Sequence, residues 1–156
     1  MYPVRKPNRL PNYDYSTYNY YFITICSKEK RCIFGKPDRL GHIGNVVRKH
    51  ILQLSSYYHG VIVDKYTVMP NHVHLIIRHE GKGDPAIPQI INLLKTGITK
   101  EVRIRYPDIT VWQRSFHDHI IRNRQSYEKI WLYIDANPQN WEKDCFFMPK
   151  MEEELR

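Results

Sequence analysis

The sequence predicts an α+β fold: a ferredoxin-like or RRM-like antiparallel sheet with the order β-α-β-β-α-β, helices on one face, and an additional C-terminal helix. Three observations predict it. Apolar β-forming runs alternate with segments of helical period, a Pro-Asn pair separates two adjacent runs, and an amphipathic segment follows the last run. The length of 156 residues predicts one domain over 1–156, with an irregular arm at 1–18 and a tail at 148–156.

The first half of the chain supplies a strand, a turn and a helix. Residues 20–26 (YYFITIC) are rich in β-branched and aromatic side chains and predict the first strand. Residues 32–41 contain two glycines and a proline, which indicate a turn or a short hairpin. Apolar residues then recur at positions 43, 46, 47, 51 and 54, and this period predicts an amphipathic helix over 43–57.

The second half begins with a predicted hairpin, in which residues 61–69 and 72–78 form the two strands. Helical spacing of isoleucine, leucine and valine predicts a helix over 90–104, with lysines and arginines left for its outer face. A last strand over 111–122 and a last helix over 126–137 complete the order. The sheet would then have one face or one edge available for a ligand.

The last helix has an N-cap, a stop and two polar side chains on one flank. Ser126 is the predicted N-cap, and Pro138 ends the helix. Tyr133 and Asn137 are four residues apart, so a phenol lies beside a carboxamide oxygen, as metal-assisted phosphodiester cleavage needs. Most tyrosines on helix surfaces nevertheless do no chemistry. An apolar stripe beside this flank predicts packing on the sheet: Tyr127, Ile130, Trp131 and Ile134.

The most informative feature is the His72-Val73-His74 run at the start of a predicted buried strand. Alternate side chains of a strand share a face, so both imidazoles point the same way while Val73 points into the core. Two neutral imidazoles on one face are half of a divalent-metal site. The simpler interpretation is two histidines whose ring nitrogens are satisfied within the protein, and a third ligand is needed to decide between the two.

The charge balance indicates a nucleic-acid partner. Twenty-four lysines and arginines oppose sixteen acids, which gives a formal net charge of +8, and the chain contains twelve tyrosines. Cations that meet phosphates and rings that stack on unpaired bases suit single-stranded nucleic acid. Small basic proteins without such a partner are also common, so charge alone does not decide the function.

Other compositional features argue against membrane and secreted classes. The longest apolar runs are too short to cross a bilayer, so we expect no membrane association. The N-terminal residues include basic side chains but no apolar segment of the kind found in signal peptides. Three cysteines without a CxxC pair suggest reduced thiols, and therefore a cytoplasmic location.

Four segments together resemble the single-tyrosine HUH transposases, and most closely their short, REP-associated branch. The resemblance covers about residues 13–147, with the motifs in the family's order and spacing. The segments are YFITICSKEKRCIFG (21–35), VMPNHVHLII (68–77), WQRSFHDHIIRN (112–123) and YIDANP (133–138).

The resemblance implies a single HUH transposase domain and a role for each matching residue. His72 and His74 match the HUH pair that binds Mg²⁺ or Mn²⁺, Asn137 matches the third metal ligand, and Tyr133 matches the nucleophile. The implied reaction is cleavage of single-stranded, hairpin-containing DNA through a 5′-phosphotyrosine, followed by strand transfer. Such an enzyme would work in the cytoplasm at the nucleoid, as a monomer or as a homodimer.

A second HxH pair and several basic residues complete the candidates. His119 matches a position where the family keeps a polar residue, and we expect it to support the reaction by contacting phosphate or orienting Tyr133. His117 is expected to have a structural role or to lie on the surface. The following basic side chains are candidates for binding DNA: Arg5, Lys6 and Arg9 in the arm, Lys95 and Lys100 on the middle helix, and Arg114, Arg122 and Arg124 near the last strand.

Two alternatives remain open at the level of sequence. The first is a non-catalytic RRM-like module that binds single strands by stacking bases on Tyr20, Tyr21 and Phe22. The second is an inactive, domesticated transposase that retains DNA binding. A histidine-triad nucleotide hydrolase is excluded because position 76 is Ile, and a two-histidine phosphoesterase is excluded because neither HxH pair has the required hydroxyl residue.

Overall fold

A computed structural model describes residues 9–144 and Phe146. Residues 1–8 of the predicted arm, with Arg5 and Lys6, and the predicted tail at 148–156 lie outside the described residues. The elements in chain order are β1 Asn19–Cys26, β2 Gly35–Lys36, β3 Arg39–Leu40, α1 His42–Leu52, α2 Leu54–Tyr57, β4 Val61–Val68, β5 His72–His79, α3 Ile87–Arg105, β6 His117–Ile121 and α4 Arg124–Ala136.

The main sheet has four strands in the spatial order β4-β5-β1-β6, and every neighbouring pair is antiparallel. The strands of the β-α-β-β-α-β unit therefore have the arrangement of a ferredoxin-like fold, and the predicted fold class is confirmed. β2 and β3 form a separate two-stranded hairpin, in agreement with the turn or hairpin predicted there. Within the described residues, no helix has the length and apolar character needed to cross a membrane.

Four predicted boundaries were wrong, one of which is the start of α3, at Ile87 rather than at residue 90. The helix predicted over 43–57 breaks at Gln53 into α1 and α2. The last strand is shorter than predicted, since β6 covers only His117–Ile121, and before it the carbonyls of Gln113 and Ser115 accept from the Lys95 ammonium, at 2.7 and 3.4 Å. The N-cap of α4 is Asn123 rather than Ser126, since the Asn123 carboxamide oxygen accepts from the Ser126 amide at 2.8 Å.

The two faces of the sheet carry different helices. On one face, side chains of β1 and β5 such as Ile23 and Leu75 form the main core with α1 and α3. On the other face, Ile76 packs against α4 through Ile134, with Tyr20 and Phe22 at the margin. We name this second side the α4 face. The C-terminal helix therefore covers the face that the other helices leave open, and the predicted apolar stripe packs there.

A β-bulge in β4 helps to hold α4 on the sheet. The pairing with β5 shifts between Val63 and Lys65, and Asp64 is the extra residue. The Asp64 carboxylate accepts a hydrogen bond from the Tyr127 hydroxyl at 3.2 Å. The Lys65 ammonium lies 2.7 Å from the Asp135 carboxylate. Because of the bulge, two consecutive residues of β4 both contact α4, where regular alternation would have turned one of them away.

Candidate metal site and nucleophile

His72 and His74 begin β5 and are both buried on the α4 face. Their ring centroids lie 4.6 Å apart. Val73 between them is fully buried in the core on the opposite face. The alternation of the strand therefore places the two imidazoles together, as the sequence predicts.

The Asn71 carboxamide fixes the tautomer of His72. Its amide nitrogen donates to the carbonyls of Lys30, at 3.1 Å, and Phe146, at 2.7 Å, so its oxygen faces His72. That oxygen lies 2.8 Å from Nδ1 of His72 and only accepts hydrogen bonds, which requires Nδ1 to carry the proton. The lone pair on Nε2 of His72 then points into the site, as a metal ligand requires.

Both imidazoles are neutral at physiological pH. Burial lowers the pKa of His72 to about 4, an effect that the neighbouring Asp144 carboxylate partly opposes. Burial, with a smaller effect of His72, lowers the pKa of His74 to about 3. Nδ1 of His74 is 2.9 Å from the Thr24 hydroxyl, which orients the ring. Neutral, oriented imidazoles are ready to bind a cation without first losing a proton.

Oxygen ligands approach the histidines from the C-terminal end of α4. Asn137 is buried, and its amide nitrogen donates to the Asp144 carboxylate at 3.1 Å. The Asp144 side chain is only 2% exposed and lies 3.9 Å from Nε2 of His72. One ligand atom from each of His72, His74 and Asp144 lies within 4.8 Å of the others. Two nitrogens and a buried carboxylate therefore converge on one point.

Two polar atoms at this point lack partners among the described residues. They are Nε2 of His72 and Oδ1 of Asn137, both buried without a hydrogen bond when His72 is neutral, although a protonated His72 would donate to the Asn137 carboxamide. Buried polar atoms of native proteins are almost always satisfied, so such a pair calls for an explanation. A bound cation is the group that satisfies a lone pair, a carboxamide oxygen and a carboxylate together.

Asp144 was not among the residues selected from the sequence. It comes directly after a short 3₁₀ turn over Trp141–Lys143, which follows α4 and carries the chain back across the site. The rings of Trp141 and Phe146 lie 6.1 and 4.6 Å from the ring of His72, which encloses the segment against β5. Nothing local distinguishes Asp144 from the exposed Glu142 nearby. Only the predicted third ligand, Asn137, indicated where to search for further oxygens.

Tyr133 lies at the solvent-facing margin of the site. Its hydroxyl is 3.5 Å from Nε2 of His74, and 43% of the residue is exposed. Its ring contacts those of His74 and Phe22, with centroid distances of 5.3 and 6.4 Å. The sequence-predicted nucleophile, the histidine pair and Asn137 thus lie together, and the phenol is accessible to a large substrate.

The basic candidates divide into two groups. Arg114, Arg122 and Arg124 are exposed. The segment before Arg114 pairs with the end of β1, since the Gln113 amide donates to the carbonyl of Cys26, the residue opposite His72. Arg122 and Arg124 line a pocket where β6 meets α4. The arginines therefore lie toward opposite ends of the sheet that carries the site.

The remaining cations are placed less favourably for a shared DNA surface. Lys95 and Lys100 lie on α3, which packs on the opposite face of the sheet from Tyr133, and Lys95 is bound to backbone carbonyls. The Arg9 guanidinium is 2.8 Å from the Asp118 carboxylate and stacks on the Phe116 ring. These contacts give Lys95 and Arg9 a structural role.

The second HxH pair lies on the uncovered part of the α4 face. His117 pairs with Thr24 of β1, which itself pairs with His74, and His119 pairs with Phe22. Both histidines are exposed. His117 is thus two strands away from His74, about 10 Å at the usual spacing. Any contact of His119 with phosphate would reach the site from the side of β6.

The aromatic platform of the RRM-like alternative is incomplete. Tyr21 is fully buried in the main core, where it cannot stack on a base. Tyr20 packs edge-on against Tyr127 of α4, with 5.3 Å between centroids, and Phe22 stacks on His74. The expectation that three consecutive aromatics bind bases is wrong for Tyr21, because strand alternation turns it to the other face.

We expect the metal-free protein to lose stability as the pH falls below about 6.5. Since the pKa values of His72 and His74 are about 4 and about 3 when folded but about 6.5 when unfolded, the unfolded chain binds more protons in this range. Each imidazole should lower the free energy of unfolding by about 2 kcal/mol by about pH 5. Urea denaturation in EDTA across this range measures the effect, and an unchanged midpoint would contradict it.

Comparisons with known proteins indicate the family of this chain. The family model described as IS200-like transposase matches residues 15–137. An uncharacterised protein of Haemophilus influenzae is 33% identical over 168 aligned positions, spanning 92% of this chain and 93% of its own.

Two solved structures share the fold. One is a REP-associated tyrosine transposase bound to a REP hairpin, with a TM-score of 0.62 and 20% identity over 90% of this chain and 74% of that one. The other is a putative transposase from Deinococcus radiodurans, with a TM-score of 0.55 and 16% identity over 82% of this chain and 95% of that one.

Proposed function

This chain belongs to the IS200-like transposase family, within the HUH tyrosine transposases, and from that premise we propose that it cleaves and rejoins single-stranded DNA with Tyr133 as nucleophile. One observation carries the proposal: beside an accessible phenol, Nε2 of His72 and Oδ1 of Asn137 are both buried without hydrogen bonds, and a buried carboxylate faces that Nε2. A non-catalytic binding module would have no need to bury these groups together without satisfying them.

The residues present fit a divalent metal. His72 and His74 supply neutral nitrogens, and Asp144 with Asn137 supplies oxygens. Such a mixed set, with a carboxylate and an amide oxygen, suits Mn²⁺ and Mg²⁺. When bound, the metal supplies positive charge that polarises the scissile phosphate. Asn71 and Thr24 would hold the two imidazoles in their binding orientation.

The chain's own part in the chemistry centres on Tyr133. Its oxygen forms a bond to the scissile phosphorus while the bond from phosphorus to the 3′ oxygen breaks, which leaves a 5′-phosphotyrosine and a 3′-hydroxyl. The phenol releases its proton to water, and the departing 3′ oxygen takes one up, so charge and atoms balance. Attack by a 3′-hydroxyl of another strand reverses the step and joins the DNA. No nucleoside triphosphate is needed as an energy source, because the phosphotyrosine bond keeps the energy of the phosphodiester.

The substrate proposed is single-stranded DNA that contains a hairpin. The REP-associated transposase with this fold was solved with a REP hairpin, which supports the choice. The net charge of +8 and the exposed Arg114, Arg122 and Arg124 supply cations for phosphates. His119, exposed on the α4 face, is proposed as a supporting contact to phosphate. On this proposal the protein acts on the chromosome.

A covalent-adduct assay tests the proposal. Hairpin oligonucleotides from the flanks of the gene are incubated with the protein in Mn²⁺ or in EDTA and separated under denaturing conditions. We expect a protein–DNA band that requires the metal. If an oligonucleotide binds equally well in Mn²⁺ and in EDTA and gives no covalent band, the protein binds DNA without cleaving it, and the proposal is contradicted.

Binding of single-stranded DNA should fall steeply with salt. If Arg114, Arg122 and Arg124 each neutralise one phosphate, the slope of log K against log salt is about −2. Arg122→Ala should make the slope shallower by about 0.7, whereas Lys100→Ala, on the other side of the sheet, should leave it unchanged. Fluorescence anisotropy across salt concentrations measures the slopes, and equal effects of the two substitutions would contradict this placement of the DNA.

A further inference from the structure

A pocket of about 550 Å³ lies on the α4 face at the end of the sheet away from His72. Its size falls in the range of small-molecule sites. The residues that matter for its chemistry are two tyrosines, one acid and three arginines: Tyr20, Tyr127, Asp64, Arg78, Arg122 and Arg124. A pocket that combines rings, a carboxylate and guanidinium groups has the donors and acceptors to select one unpaired nucleotide.

The Asp64 carboxylate is the selective acceptor of this pocket. The β-bulge places it on the α4 face, where one oxygen accepts a hydrogen bond from Tyr127 at 3.2 Å. A carboxylate has about four acceptor positions, so capacity remains for a ligand. Two adjacent N–H donors on a ligand would bind it in the bidentate manner that gives carboxylates their geometric selectivity.

Arg78 is the donor of this pocket. It lies on β5, where its guanidinium hydrogen-bonds the Tyr20 side chain and is attracted by the Asp64 carboxylate, while its Nε is buried without a hydrogen-bond partner among the described residues. Its outer nitrogen is 3.6 Å from the Glu80 carboxylate, a loose contact at the margin. Arginine binds the O6 and N7 acceptors of guanine more often than any other base edge. The exposed Arg122 is available for a phosphate group, whereas the exposed Arg124 is paired with the Glu128 carboxylate at 2.9 Å.

We propose that this pocket binds a single unpaired guanine of the DNA strand, with Asp64 accepting from N1–H and the N2 amino group and Arg78 donating to O6 or N7. Guanine alone among the four bases presents two adjacent donors beside two acceptors. Tyr20 and Tyr127 lie at the borders of the base, and Arg122 holds its phosphate. The inference rests on the proposed function, because it assumes that single-stranded DNA crosses the α4 face.

The position of the pocket makes it a specificity site for the cleavage step. Tyr127 and Tyr133 lie on the same helix, six residues or about 9 Å apart. At about 3.4 Å of rise for each stacked nucleotide, that span corresponds to two or three nucleotides. The rings of Tyr20 and Phe22, alternate residues of β1, contact Tyr127 and Tyr133 respectively. A guanine held here would fix which phosphate meets Tyr133.

The test compares an oligothymidylate with the same strand carrying one central guanine, by fluorescence anisotropy in Mg²⁺. We expect the guanine to tighten binding by about 10-fold, within the range of one bidentate base contact. Inosine, which lacks the N2 amino group, should lose most of that gain, and adenine or cytosine should give little. Asp64→Asn should abolish the preference, while Asp38→Asn, the same charge change on the exposed β2–β3 turn, should preserve it.

Four results would overturn the inference. The inference fails if the protein binds both strands without preferring guanine, or if Asp64→Asn keeps the preference. In both cases the proposed function still stands. Tyr127→Phe removes the hydrogen bond between Tyr127 and Asp64 but leaves the carboxylate in place. If this variant loses the guanine preference to the same extent as Asp64→Asn, the carboxylate only positions α4. Failure of both strands to bind would count against the proposed function as well.

Discussion

Tyr133→Phe should abolish the covalent protein–DNA adduct and leave the affinity for single-stranded DNA within about twofold. The substitution removes one oxygen from a side chain that is 43% exposed, so little packing is lost. The hydroxyl lies 3.5 Å from Nε2 of His74, which is a long contact for a hydrogen bond. Loss of a nucleophile lowers the rate by at least about 10³-fold. Denaturing electrophoresis for the adduct and anisotropy for binding measure the two effects separately.

The matched control is Tyr57→Phe, which removes a hydroxyl from a tyrosine 70% exposed on α2, away from the site. This variant should form the adduct at the wild-type rate. Peptide mapping of the wild-type adduct should identify the peptide that contains Tyr133. If Tyr133→Phe still forms an adduct, another tyrosine attacks, and Tyr20 or Tyr127 on the same face would be the first to examine.

The sequence predicted the fold and the centre of the site because both depend on local periodicity. Alternation along β5 determines that His72 and His74 share a face while Val73 enters the core. The helical spacing of Tyr133 and Asn137 brings both to that same face, once the apolar stripe of α4 packs on the sheet. The periodicity and polarity of the side chains were sufficient to predict these positions, since β5 and α4 each have one clearly apolar side.

The features that the sequence could not predict depend on contacts between distant parts of the chain. Asp144 reaches the histidines only because the segment after α4 folds back on His72. Charge did not show that Arg9 pairs with Asp118 or that Lys95 binds backbone carbonyls, because a cation's partner is set by tertiary structure. The bulge at Asp64 likewise breaks the alternation on which sequence patterns rely.

Asp144→Asn should weaken Mn²⁺ binding by about 10- to 100-fold, and His72→Ala should weaken it further. Asparagine keeps the shape of Asp144 but removes the negative charge that faces Nε2 of His72 at 3.9 Å. Glu142→Gln is the matched control, because Glu142 is exposed in the adjacent 3₁₀ turn, two residues from Asp144, and this variant should bind Mn²⁺ as the wild type does. Calorimetric titration of the three variants measures the affinities.

Thermal stability gives an independent reading of the same site. At a Mn²⁺ concentration about 100 times the dissociation constant, the wild type should gain about 2.7 kcal/mol of stability, and Asp144→Asn should gain much less at that concentration. Melting curves without metal show whether His72→Ala still folds, since that imidazole is buried. If Asp144→Asn binds Mn²⁺ with wild-type affinity, Asn137 is the oxygen ligand beside the histidines. If His72→Ala alone then loses binding, the Asp144 carboxylate does not coordinate the metal.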